Sequence, residues 1–175
     1  LRFINASASR AYRLRIDDHP FLILGLDGAM LPAPVEQSVL PLSPGERADV
    51  ILAASRAPAA YPLRDLDAGG ALLGRVVYAS LDVPPWQLPS TLIPVEPLPP
   101  PVNSRRILLS QGMGMGPGRF YLNGRSFDHT RVDTSVTLGD VEDWEFVNLT
   151  AMDHPMHIHT NPFQLLDATG EPLRA

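Results

Sequence analysis

Three of the chain's five histidines fall in one short stretch, His154-Pro155-Met156-His157-Ile158-His159. Neutral imidazole is the commonest protein metal ligand, so the first chemistry this spacing offers is metal binding. In an extended strand, side chains two residues apart share a face. His157 and His159 are therefore expected to project in parallel, with Cα atoms about 6.5–7 Å apart. Such a pair can converge on one ion or serve two neighbouring ions. Pro155 lacks an N–H and steers the residue before it away from helix, which puts His154 at the strand entrance, facing differently from the pair. One histidine set apart plus a parallel pair points to more than one metal. Taken alone, His157 and His159 fit a pair of hydrogen-bonded core histidines equally well.

The elements that must position these residues read as strands. Trp144-Glu145-Phe146-Val147-Asn148-Leu149-Thr150 leads into the stretch and Phe163-Gln164-Leu165-Leu166 leads out. Upstream, Tyr12–Ile16 alternates apolar and polar residues, the period of a half-buried strand. Phe21–Leu24, Ser38–Leu42, Ala48–Leu52, Tyr61–Leu66 and Leu72–Tyr78 are further strand candidates, with turns at Asp17-Asp18-His19-Pro20, Asp27-Gly28 and Ser43-Pro44-Gly45-Glu46. Later come Ile107–Leu109, Phe120–Arg125 with its Asn123-Gly124 turn, Val132–Leu138 and Val141–Thr150. No window sustains a capped helical period. Short strands between regular turn signals predict an all-β sandwich or barrel. Residues 82–103 are proline-rich and read as an extended connector. As a connector they separate one unit over 1–81 from another over 104–175; the alternative is one long proline-rich loop over a single domain.

Composition narrows the function. The chain has 175 residues, is 45% hydrophobic and 19% charged, and carries a net charge of -5, an ordinary globular balance. It has no Lys/Arg-rich run, which argues against a nucleic-acid partner, and its apolar runs are too short to span a membrane. It has no cysteine, so disulfides, thiolate zinc sites, iron–sulfur clusters and any thiolate copper site are excluded within it. The chain opens on Leu1-Arg2-Phe3-Ile4, which reads as mid-domain strand with no signal peptide. His19 and His129 lie in turn sequences and are expected to be exposed. Asp17 and Asp18 are read as hydrated turn carboxylates.

His154-Pro-Met-His157-Ile-His159, with Trp144-Glu-Phe-Val-Asn-Leu-Thr before it and Phe163-Gln-Leu-Leu after it, resembles the third-domain copper motif of multicopper oxidases. Leu1-Arg-Phe-Ile-Asn-Ala-Ser, Leu26-Asp-Gly-Ala-Met-Leu-Pro-Ala-Pro and Leu42-Ser-Pro-Gly-Glu-Arg-Ala-Asp-Val resemble the second-domain pattern of the same family, in the right order. The resemblance implies cupredoxin-like Greek-key β-barrels or sandwiches, both incomplete in this chain. Residues 1–81 would be the later part of domain two, 82–103 the interdomain linker and 104–175 the earlier part of domain three. It implies copper as cofactor, with His154 a type 1 ligand, His157 a type 2 ligand and His159 a type 3 ligand. It implies dioxygen and a small reducing substrate (a phenol, an aromatic amine or a metal ion) as reactants. The rest of a parent polypeptide, or other copies of the chain, would be partners. The implied compartment is periplasmic or extracellular.

The departures matter as much. The family's type 1 cysteine and the first-domain His-x-His pairs have no counterpart here, so the chain is expected to be an internal piece of a larger oxidase, incompetent alone. Met152 stands where the family's cuprous oxidases place a substrate-copper methionine, but Thr150 stands where they have the partner aspartate, so Met152 is read as an ordinary loop or packing methionine. Asp153 is read as a carboxylate that orients a ligand or substrate or as a solvated residue. Met113 and Met115 are read as ordinary loop methionines. Two other readings compete: a copper-free cupredoxin-fold protein with a structural or binding role, and a zinc hydrolase using His157 and His159, which would need a third ligand and an open position for water.

Overall fold

The computed structural model describes residues 1–53, 56–79, 87–94, 96–112, 120–161, 163–167 and 169–170. The chain divides into two units, Leu1–Val95 with His157–Ala175, and Glu96–Met156. The expected loop methionines Met113 and Met115 lie outside the described residues, as does part of the expected connector.

The first unit is built from β1 (Arg2–Ile4), β2 (Tyr12–Ile16), β3 (Phe21–Leu26), β4 (Ala29–Gln37), β5 (Leu40–Leu42), β6 (Arg47–Ile51), β7 (Ala60–Asp65) and β8 (Ala71–Val77). They form two antiparallel four-stranded sheets, ordered β1-β6-β3-β4 and β5-β2-β7-β8. The chain passes repeatedly from one sheet to the other, and the alternation in each strand decides what lies between them. Leu14 and Ile16 of β2 and Leu40 and Leu42 of β5 meet Phe21 and Ile23 of β3 and Ala48 and Val50 of β6 in one buried cluster. Among the described residues the only helical turn is Leu66–Ala68, where the wholly buried Asp65 carboxylate accepts from Asp67 N at 3.2 Å and pairs with Arg10.

Strand β4 escapes the sequence reading because Pro32 and Pro34 argue against a strand. It lies at a sheet edge, where a missing N–H costs no ladder bond. The β3–β4 turn uses positive φ at Asp27 and Gly28. Gly25 marks the bulge beside it, and a Cβ there would sit 2.7 Å from the Ala29 carbonyl oxygen.

His19 is a correction. It is buried, not exposed. Its Nδ1 lies 2.7 Å from the Asp17 carbonyl oxygen, which can only accept, so Nδ1 carries the proton. Nε2 then accepts from the Tyr78 hydroxyl at 2.9 Å, and Tyr61 packs edge-on against the ring. Burial, with Tyr61 nearby acting in the same direction, pushes the Tyr78 hydroxyl above its ordinary range. The turn sequence was read correctly, but its neighbours come from residues far along the chain. Asp17 pairs with Arg64 at 3.5 Å. His129 is exposed in a turn.

In the second unit, β9 (Asn103–Gln111) is flanked by β10 (Phe120–Leu122), antiparallel, and β11 (Glu142–Asn148), parallel. Ile107 and Leu109 are its buried pair. The expected strand over 132–138 does not form. Both edges of β9 are already taken, and Val132, Val136 and Leu138 face solvent.

One polar node fixes the start of β11. The Glu142 carboxylate accepts from Arg105 Nε at 2.6 Å and Nη2 at 2.8 Å, and from Trp144 Nε1 at 2.9 Å. The Arg105 hydrogen bonds, outweighing the opposing effect of desolvation, hold the Glu142 carboxyl at about 2, well below its ordinary 4.5. The bidentate geometry explains the size of the shift. With the folded value depressed, the contribution of this pair to stability is complete above about pH 4.5 and is lost as pH falls through about 2. Carboxyl NMR titration is expected to place Glu142 near 2 in the wild type and near its ordinary value in Arg105→Met. A wild-type midpoint near 4.5 would disprove the pairing.

Candidate metal centre

The histidine stretch is positioned by the way β11 ends. At Asn148 the backbone leaves the sheet in an elbow held by side chains. Asn148 Oδ1 accepts from Thr150 N at 2.9 Å and from Thr150 Oγ1 at 2.8 Å. Asn148 Nδ2 donates to the Met152 carbonyl at 2.7 Å. Asn and Thr compete with ladder bonds in this way wherever a strand must stop.

The same device occurs at the end of β1. Asn5 Oδ1 accepts from Ser7 N at 3.0 Å and from Ser7 Oγ at 2.7 Å, and Asn5 Nδ2 donates to the Arg10 carbonyl at 2.8 Å. Phe3-Ile4-Asn5-Ala6-Ser7 and Phe146-Val147-Asn148-Leu149-Thr150 are two copies of one motif. The likeness continues. Asp18 and Thr160 both have positive φ, as do Gly28 and Gly170, and His19-Pro20-Phe21 matches Asn161-Pro162-Phe163 in sequence. This internal repeat was visible in the sequence as Asn-x-Ser/Thr after Phe-Ile or Phe-Val. It identifies Asn148 and Thr150 as positioning residues that motif reading alone passed over.

Beyond the elbow the expected strand is absent: residues 153–158 belong to no ladder. His154 is half-buried, His157 and His159 are exposed. His154 Nε2 lies 2.8 Å from Thr150 Oγ1, and Phe120 packs edge-on against the ring with centroids 5.4 Å apart. The His157 and His159 rings lie 4.8 Å apart, near perpendicular at 73°. Aligning the repeat by its elbow carbonyls and positive-φ residues sets Met156 and Ile158 at the positions of the core residues Leu14 and Ile16. His157 then takes the place of the exposed Arg15 and His159 that of Asp17. The correspondence is one of sequence position: Met156 and Ile158 are exposed, as are His157 and His159, whereas Leu14 and Ile16 are buried.

Two exposed, adjacent imidazoles suit copper or zinc, and nothing in the described structure occupies their lone pairs with another side chain. Yet among the described residues no group of three or more His, Cys, Asp or Glu side chains comes together to hold an ion. The residues fit as donors to a metal whose other ligands come from elsewhere. Asp153 and Met152 are exposed beside His154. Thr150, at the position where a metal-binding carboxylate could have stood, is engaged with the His154 ring.

Comparison with known proteins agrees across both units. Two family models, each described as multicopper oxidase, match residues 1–75 and 99–174. The chain is 33% identical to multicopper oxidase LPR1 homolog 5 of Oryza sativa subsp. japonica, over 97% of this chain and 30% of that protein. It is 34% identical to cell division protein FtsP of Photorhabdus laumondii subsp. laumondii, over 98% of this chain and 38% of that protein. It superposes on the laccase-like multi-copper oxidase CueO of Ochrobactrum sp. with a TM-score of 0.78 and 25% identity, over 99% of this chain and 43% of that one. The chain thus spans about a third of the length of the curated relatives it matches. No helix among the described residues is long and apolar enough to cross a membrane.

Proposed function

Because the chain belongs to the multicopper oxidase family, with an all-β, cupredoxin-like fold, we propose that it supplies one part of an oxidase's copper centres. In this reading His154 is a type 1 ligand, His157 a type 2 ligand and His159 a type 3 ligand. Residues 1–81 and 104–175 belong to two successive cupredoxin-like domains joined by 82–103. The parent enzyme oxidises a small reductant (a phenol, an aromatic amine or a metal ion) one electron at a time. Four such electrons and four protons convert one dioxygen to two waters. Copper, when bound, supplies the one-electron steps and the site of dioxygen reduction.

The residues of this chain do the holding. The elbow of Asn148 and Thr150 sets His154, Phe120 limits its rotation, and His157 and His159 point outward, where ligands from another domain or another copy of the chain can join them. The observation that carries the reading is that outward pair of adjacent imidazoles in a chain of this family. The reactants are thus dioxygen and the reductant, and the compartment is periplasmic or extracellular.

A second reading, a copper-free structural or binding protein, has one observation in its favour: the 34% identity to a cell division protein. The two separate in one experiment on the natural full-length gene product loaded with copper. The oxidase reading expects retained copper, a blue thiolate-to-copper band and oxygen uptake with a phenolic substrate. A colourless protein that retains no copper sinks it. The 175-residue chain alone is expected to show no thiolate band, because it has no cysteine.

A further inference from the structure

The repeated elbow assigns a proton. In the first copy no imidazole is near, and the Ser7 hydroxyl has only the elbow's own acceptors, Asn5 Oδ1 at 2.7 Å and the Arg10 carbonyl at 2.6 Å. In the second copy Thr150 Oγ1 keeps the equivalent contacts, Asn148 Oδ1 at 2.8 Å and the Met152 carbonyl at 3.2 Å. It adds two more, Met152 N at 3.3 Å and His154 Nε2 at 2.8 Å. A hydroxyl has one proton and two lone pairs. If the proton is spent inside the elbow, as in the first copy, both lone pairs are free, one for Met152 N–H and one for a proton on His154 Nε2.

We propose that Thr150 is a positioning residue for His154: its hydroxyl accepts the Nε2 proton, fixes the imidazole in that tautomer and leaves Nδ1 as the nitrogen offered to a metal. The chain His154 Nε2–H to Thr150 Oγ1–H to Asn148 Oδ1 ties ring orientation to the end of β11. Partners of this kind commonly set the tautomer and orientation of a ligand histidine. Here a neutral hydroxyl does it, leaving no carboxylate against the ring. The inference rests on the reading of His154 as a ligand only for its consequence; the hydrogen bond itself is independent of metal. The contact with His154 is not needed to fold the elbow, because the Ser7 copy forms without one. Thr150→Ser is therefore the conservative variant and Thr150→Val the disruptive one.

The test uses the 175-residue chain and nitrogen NMR of the imidazoles. Without metal, His154 in the wild type and in Thr150→Ser is expected to carry its proton on Nε2. In Thr150→Val the Nε2–H is expected to exchange with water about tenfold faster, the size of one lost hydrogen bond, and the Nδ1–H form to appear. Backbone amide signals of β9 and β11 report that each variant is folded. A wild-type proton on Nδ1, or no change in Thr150→Val with the fold intact, overturns the proposal. In a second arm copper(I) is added under anaerobic conditions to the natural full-length protein, where the proposed function places the remaining ligands. A shift at His154 Nδ1 supports the offered nitrogen, and a shift at Nε2 overturns it. If no imidazole nitrogen responds, the ligand reading of His154 fails, while the metal-free arm still decides the role of Thr150.

Discussion

Replacing His159 with alanine is expected to lower oxygen uptake of the copper-loaded full-length protein by on the order of a hundredfold or more. Losing a residue that merely orients a ligand typically costs 10–100-fold in metal affinity or activity, and loss of the ligand itself sets that as a floor. The same loss is expected for His157→Ala, since the two rings lie only 4.8 Å apart and the proposed function gives both to one copper cluster. Copper content should fall with activity in both variants. Stability should barely change, because both side chains are exposed and exposed substitutions usually stay within about 0.5 kcal/mol. His129→Ala removes another exposed histidine, in a turn, and is the control expected to retain full uptake. Wild-type uptake and copper content in His159→Ala would refute the assignment of the pair. A loss of equal size in His129→Ala would show that histidine removal acts nonspecifically.

What the sequence made legible follows from how local each signal is. The strands of the first unit were readable wherever period-two alternation met a turn residue, as at Tyr12–Ile16 and in the Asp27-Gly28 turn. Strand β4 was not, because its prolines are tolerated only through its edge position, a property of the sheet and not of the segment. Residues 132–138 failed for a related reason: although β10 and β11 are edge strands, this segment joins no ladder and Val132, Val136 and Leu138 face solvent. His19 was misjudged because burial is decided by distant partners, Tyr61 and Tyr78, that a four-residue turn cannot announce. At the candidate site the three histidines stand out by type and spacing alone. The group that orients His154 does not, because a threonine four residues away carries no metal-ligand signature. Only comparison with the first copy of the elbow reveals it, and that copy was present in the sequence from residue 3 onward.

The fold that presents the site is most sensitive at Phe21. Its ring is wholly buried where β3 enters its sheet, edge-on to Phe3 at 5.8 Å and packed within the cluster both sheets share. Phe21→Ala is expected to destabilise the chain by about 3–5 kcal/mol, the combined cost of lost burial and the cavity left behind. Urea unfolding followed by far-ultraviolet circular dichroism measures it. Leu138→Ala, at a fully exposed side chain, should shift the midpoint negligibly. A change below about 1 kcal/mol for Phe21→Ala would mean that the two sheets do not enclose a common core. Because whole-domain stability is only about 5–15 kcal/mol, this loss lowers activity of the full-length protein by depleting folded protein, and cooling toward about 10–20 °C or a stabilising osmolyte should restore it. The loss in His159→Ala should persist under the same conditions, since there the fold survives and the imidazole is gone. The temperature dependence of activity in the two variants therefore separates residues that build the sandwich from residues proposed to hold the metal.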